Sequence, residues 1–209
     1  MVSATQPAAA AFGGKLFIAL HSSTSKFYSD PTAGSEINVL YSGDSGVTWA
    51  PPFKLAPSTS SDLHHVNPAV ALTQNGNRLL VSFYVQQFDE RLRTDIARLH
   101  VDGNYLRVDA IGNLNSTASN LPPSNNPRPQ PDDPYVTVNY DLVEGTCHVL
   151  GEYQSIGVSQ NGDGSGPIVA AWTDLRRSWT SPSDSVAPGT HSQPDVFSAR
   201  VDAVVTAGP

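Results

Sequence analysis

Ser42-Gly43-Asp44-Ser45-Gly46-Val47-Thr48-Trp49 follows directly on the alternating run Ile37-Asn38-Val39-Leu40-Tyr41, and this succession decides the fold class. The alternating run reads as a strand. Asp and Gly then supply a tight turn, because Asp bonds its own backbone two residues on and Gly accepts a positive φ. Thr48 and Trp49 restart β-type side chains, and a Trp there can cover the end of a small sheet.

Outward from that turn, three segments share one plan: a short strand, a Gly- or Asn-rich turn, and a second strand of β-branched and aromatic residues. The first runs Gln6-Pro7-Ala8-Ala9-Ala10-Ala11-Phe12, turns at Gly13-Gly14, and returns as Leu16 to Leu20. In the second, Asn67-Pro68-Ala69-Val70-Ala71-Leu72 turns at Asn75-Gly76 into Leu79 to Tyr84. The third, Gln154 to Val158, turns at Asn161 to Gly164 into Ile168 to Trp172. Gly-Gly and Asn-Gly between β runs are strong hairpin signals. By propensity alone Ala8 to Ala11 could also form a turn of helix, since short apolar runs are ambiguous. Each hairpin is followed by a third strand, at Ile37–Tyr41, Asp95–Val101 and Asp195–Val201. A fourth strand is expected around Phe53, Leu106-Arg107-Val108 and Ala203-Val204-Val205. Asp102-Gly103-Asn104 looks like a degenerate copy of the first turn. Four-stranded units repeated along a chain are the sequence plan of a β-propeller.

Composition agrees with many short strands. Of 209 residues 15% are charged, against roughly 25% in an average globular protein. The 39% apolar content argues against global disorder. A net charge of −7 offers no basic stripe for nucleic acid and no polybasic patch for a membrane. No apolar run reaches transmembrane length. Met1 to Pro7 lack a basic region followed by an apolar core, so no signal peptide is expected in this chain. Cys147 is the single cysteine and reads as a small buried hydrophobe. Pro122 to Pro134, rich in Ser, Asn and Pro, reads as part of an extended loop over 112–134, followed by an extra strand at Tyr135–Tyr140.

The motif S-x-D-x-G-x-T-W, carried by Ser42, Asp44, Gly46, Thr48 and Trp49, resembles the Asp-box, or bacterial neuraminidase repeat, of sialidase-like β-propellers. Further resemblance lies in Asn67-Pro68-Ala69-Val70-Ala71, Gly151-Glu152-Tyr153-Gln154, Ala171-Trp172-Thr173-Asp174-Leu175-Arg176 and Gln193 to Arg200. Together they look like the C-terminal half of such a propeller. The expected fold is therefore all-β, a partial sialidase-like β-propeller of about three four-stranded antiparallel blades, at approximately 5–57, 65–111 and 135–206. The resemblance makes the five Asp-box residues structural. Family members close six or seven blades, so three blades expose an apolar face at each end. A longer chain, a second copy closing a six-bladed homodimeric ring, or a separate polypeptide would cover those faces. The resemblance also implies export to the cell surface or beyond.

In such blades the Asp-box turns leave one face, while the loops carrying ligand sites leave the other. The resemblance implies, for a catalytic member, an arginine cluster on a carboxylate, a Tyr nucleophile paired with Glu, and an Asp acid/base. Tyr153, Glu152, Asp174 and Arg176 stand in that zone, with Arg93, Arg177, His65 and Asp89 as candidate ligand-binding residues. Arg forks match carboxylate oxygens. Yet the Arg-Ile-Pro motif that opens catalytic sialidases is missing, and Gln6-Pro7-Ala8 stands in its place. Asp174 and Arg176, expected on a loop after a strand ending at Trp172, also suit hydrogen bonds pinning one blade to the next. Glu152 and Tyr153 suit the same role.

His64-His65 reads as a solvated loop pair, since no third ligand at metal spacing accompanies it. Asp132, Asp133, Asp141 and Glu144 lack the mid-loop Gly of a calcium loop. No cofactor or metal motif is recognised. Two functions remain: a non-catalytic module binding carbohydrate or a protein partner, and a fragment of an exo-α-sialidase-type glycoside hydrolase.

Overall fold

The computed structural model describes residues 6–25, 33–58, 64–73, 76–86, 92–103, 105–114, 154–158, 168–180 and 190–200. These residues are all-β, without helix, and the described strands do not close a ring. The first four strands are β1 (Ala8–Phe12), β2 (Lys15–Ser23), β3 (Ser35–Ser42) and β4 (Phe53–Ala56). They form an antiparallel meander in sequence order. A second meander follows from β5 (His64–Leu72), β6 (Arg78–Gln86), β7 (Leu92–Asp102) and β8 (Tyr105–Asn113). One parallel pairing, Ser35 with His64, joins the two. The third unit holds β9 (Ser155–Val158), β10 (Ile168–Thr180) and β11 (Thr190–Arg200) in antiparallel order.

Ala8 to Ala11 are strand, despite alanine's helix propensity. Gly13 and Gly14 sit at φ +55° and +83°, the two successive positive values that a tight hairpin requires and that glycine adopts at no steric cost. The ladder they start pairs Phe12 with Lys15 and Ala8 with Ala19.

Alternation of side chains builds two apolar layers on opposite faces of the second meander. Leu79, Val81, Phe83 and Val85 of β6 point to the first meander and pack on Phe17, Ala19, Ile37, Val39 and Tyr41. Leu80 and Tyr84, one residue out of phase, point to the third unit and pack with Val66, Ile156, Ala170 and Trp172. Period-2 alternation sends successive residues to opposite faces, so a strand buried on both sides reads as the apolar run Leu79 to Val85, interrupted by Ser82 alone. Fully burying each such side chain contributes roughly 1.5–3 kcal/mol. The rings of Phe17 and Tyr41 stack at 4.9 Å.

Several boundaries differ from the sequence expectation. The 112–134 loop starts later: β8 reaches Asn113, and Leu114 is buried with its N–H donating to Thr94 O at 2.8 Å. Thr48 and Trp49 do not restart a strand; β4 begins at Phe53. Trp49 stays 42% exposed and so covers the sheet end incompletely. The expected strands at 135–140 and 203–205 and the 161–164 turn lie outside the described residues, as do Cys147, Asp132, Asp133, Asp141 and Glu144.

Candidate functional site

Strand directions place the starts of β1, β3, β5, β7, β9 and β11 at one end of the stack, together with the ends of β2, β6 and β10. The Ser42–Trp49 turn leaves the other end.

At the first end the chains of all three units converge on a cleft of about 240 Å³. Its walls are the entries to β1, β5 and β9: Gln6-Pro7-Ala8, Asn67-Pro68-Ala69 and Gln154-Ser155-Ile156 among them. None of the described lining residues is charged. The short side chains of Ala8, Ala69 and Ser155 stand at the cleft.

The amides do two kinds of work. Gln154 is held at both ends: its Oε1 accepts from Ser82 Oγ at 2.9 Å and its Nε2 donates to Asn67 O at 2.9 Å. Asn67 lies at φ +49°, a left-handed value that Asn tolerates better than most residues. It sits in a bulge, because Asn67 and Pro68 together face Phe83 between the pairs Val66–Tyr84 and Ala69–Ser82. Pro68 has no N–H to lose from the ladder, and the bulge re-aims the strand entry toward the cleft. The Asn67 N–H donates to Nδ1 of buried His21 at 3.3 Å, tying the second meander to the first.

At the same end of the stack, between the first two meanders, lies an ion pair whose carboxylate is buried. Arg93 donates from Nε and Nη2 to both carboxylate oxygens of Asp95, at 3.1–3.2 Å. Burial pushes the Asp95 carboxyl above its ordinary range, and the Arg93 guanidinium opposes that shift. His65 is 7% exposed, with its ring edge-on to Phe83 at 5.7 Å and Nδ1 donating to Ser35 O at 3.3 Å. Burial lowers its pKa, the Ser35 carbonyl opposes the shift, and nearby Arg93 and His64 add to it.

This corrects two expectations. His64 and His65 open β5 rather than forming a solvated loop, because the parallel pairing with Ser35 continues the sheet to that point. Asp174 and Arg176 lie within β10, not on a loop after Trp172. The ladder continues through a bulge in which Leu175 and Arg176 together face Pro194, between the pairs Asp174–Asp195 and Arg177–Gln193.

Arg93 and His65 are brought together, as candidate ligand-binding residues, but the Arg93 fork is already filled by Asp95. Asp174, Arg176 and Arg177 share the same end of the stack by backbone placement. Glu152, Tyr153 and Asp89 lie outside the described residues. Among the described residues no three His, Cys, Asp or Glu side chains gather at metal-binding distances. Sequence reasoning missed Gln6, Asn67 and Gln154 as site residues. Their signal was visible as a repeated amide, then Pro or Ser, then a small or apolar residue at each unit's first strand.

At the opposite end, Asp44 organises the Ser42–Trp49 turn. Its Oδ1 accepts from Ser42 Oγ and Thr48 N, both at 2.8 Å, and its Oδ2 accepts from Thr48 Oγ1 at 2.6 Å. These bonds hold its pKa down to about 2, with the Thr48 hydroxyl the largest cause. Ser45 and Gly46 take φ +61° and +88°, and Ser45 N–H donates to Gly14 O at 2.7 Å.

No protein-family model matches the chain, and no curated protein matches it.

Proposed function

We propose that this chain is part of a sialidase-like Asp-box β-propeller of about three blades, acting as a non-catalytic module. It binds carbohydrate or a protein partner at the end where the strand entries converge, on an exported protein. The observation that carries this reading is the second meander, buried on both faces between two further sheets, with the three first strands meeting at one cleft. Radially packed sheets whose innermost strands converge are how propellers form a central site. The hydrogen-bonded Ser42–Trp49 turn at the opposite end adds support.

The outward face of the first meander, with Leu16, Ile18, Leu20 and Leu40 half-buried, favours continuation of the stack. Further blades of a longer chain, or a second copy, would cover it. The non-catalytic reading gains from Arg93: a guanidinium already forked onto Asp95 is not free to grip a substrate carboxylate.

Incubation with a fluorogenic sialoside separates this reading from a hydrolase fragment. No release is expected. Release that disappears in Tyr153→Phe and Arg176→Ala would replace the binding module with a glycoside hydrolase. A glycan array tests binding itself, and light scattering tests the homodimer, which a monodisperse monomer would remove.

A further inference from the structure

We infer that the cleft between the three strand entries takes a neutral, hydroxyl-rich ligand the size of one sugar ring, and discriminates against carboxylated sugars. This deepens the binding-module reading and rests on it.

The lining decides the ligand's charge. Among the described residues no Arg, Lys or His lines the cleft, and the guanidinium of Arg93, at the same end of the stack, is already bonded to Asp95. An anion there would lose its hydration without gaining a cation, which is costly. A cation has no better prospect, since no carboxylate of the described residues lines the wall.

The amides decide the polar chemistry. Each carboxamide carries donors and an acceptor side by side, and a sugar hydroxyl also gives and takes a hydrogen bond. A carboxylate accepts only, so it can use the amide N–H but leaves the amide oxygen unpaired and repelled, where a hydroxyl serves both. Gln154 is fixed by Ser82 and by the Asn67 carbonyl, so its remaining amide hydrogen and lone pairs hold a set direction. The carboxamides of Asn67 and Gln6 make no hydrogen bond within the described residues, which leaves both to a ligand. Pre-positioned polar groups of this kind confer specificity at low ordering cost.

Size and walls set the rest. A cleft of about 240 Å³ falls below the roughly 300–1,000 Å³ of drug-sized sites, so one ring fits rather than a chain. Pro7 and Pro68 present CH surfaces without backbone donors, against which the apolar face of a sugar ring can lie.

The test is an ¹⁵N-labelled chain titrated with glucose, galactose, N-acetylglucosamine, glucuronate and N-acetylneuraminate, followed by amide chemical shifts. At least one neutral sugar is expected to shift Ala8, Ala69 and Ser155 in a saturable way. Asn67→Gly suits the positive φ and removes the carboxamide; Gln6→Ala does the same at an exposed position. Each should weaken Kd at least tenfold while the remaining spectrum stays folded. Shifts from the two carboxylated sugars alone, at the same amides, would overturn the inference and leave the binding-module reading intact. Saturable shifts elsewhere, unchanged in Asn67→Gly, would also overturn it while sparing that reading. Silence from all five sugars would overturn it too, and the glycan array would then decide whether the wider reading survives.

Discussion

Gln154 Nε2 donates to the carbonyl of Asn67 at 2.9 Å, so the entry strand of the third unit is bonded to that of the second. The same side chain accepts from Ser82, which is buried. Gln154→Ala leaves a buried hydroxyl and a carbonyl without their partner. An unsatisfied buried group costs about 1–3 kcal/mol, and the denaturant midpoint should fall accordingly. Gln154→Glu keeps the acceptor toward Ser82 but loses the donor to Asn67. Hydrogen exchange should show faster opening of β9 in both variants, while β2 and β3 keep their protection.

Asp44 gives a test by pH. Its folded pKa of about 2 lies below the ordinary carboxylate value, chiefly because the Thr48 hydroxyl and N–H and the Ser42 hydroxyl bond the charged form. A depressed carboxylate contributes stability that is present above its unfolded pKa and lost as pH falls through the folded one. Nuclear magnetic resonance titration should place the Asp44 midpoint near 2, and Tm should drop between about pH 4 and pH 2. In Asp44→Asn that share of the acid loss disappears, and Tm at neutral pH is lower than in the parent chain. An Asp44 midpoint near the ordinary value would mean that the turn network does not form.

How far these features were legible in the sequence depends on their range. Gly13-Gly14 and the alternation in Ile37–Tyr41 are local, and both read correctly as hairpin and strand. The Ser42–Trp49 turn is also local, since every bond Asp44 accepts comes from within four residues. The end of β10 was not legible. Thr173-Asp174-Leu175-Arg176-Arg177 is polar enough to pass for a loop, and only the partner strand opposite it extends the ladder. His65 failed for the same reason. Its burial comes from Ser35, thirty residues earlier, and from Phe83 across the sheet. The cleft needed three distant strand entries brought together, although their shared amide pattern was on view in the chain.

Gly76 locks the turn ends of the first two meanders together. It lies at φ +62°, and a Cβ there would stand 2.5 Å from Cδ1 of Phe12. Lys15 Nζ reaches the same turn, donating to Asn77 Oδ1 at 3.0 Å. Gly76→Ala combines left-handed strain with a clash, and should cost about 1–3 kcal/mol in denaturant unfolding. Phe12→Leu, with its smaller side chain, should recover the clash but not the backbone strain. A double-mutant cycle therefore ought to show positive coupling smaller than the full Gly76→Ala loss.

Arg93 and Asp95 form an electrostatic test at the same end of the stack. Asp95 is 6% exposed, and burial already raises its pKa against the pull of Arg93. Arg93→Ala removes that pull, so the Asp95 midpoint should climb further by nuclear magnetic resonance titration. A folded carboxyl pKa above the unfolded one means that stability falls as pH rises through the interval between them. The penalty at neutral pH should then be larger in Arg93→Ala than in the parent, by about 1–3 kcal/mol given that Arg93 is itself partly solvated. Arg93→Ala,Asp95→Asn should recover part of the loss, because an amide tolerates burial without a cation. His65 acts in the opposite direction: its lowered pKa contributes stability above about pH 6.5 that is lost as the ring protonates on acidification. His65→Phe should flatten the Tm profile on that acidic side and leave the Asp95 limb in place. If His65→Phe leaves the profile unchanged, the imidazole is not buried against Phe83 as placed.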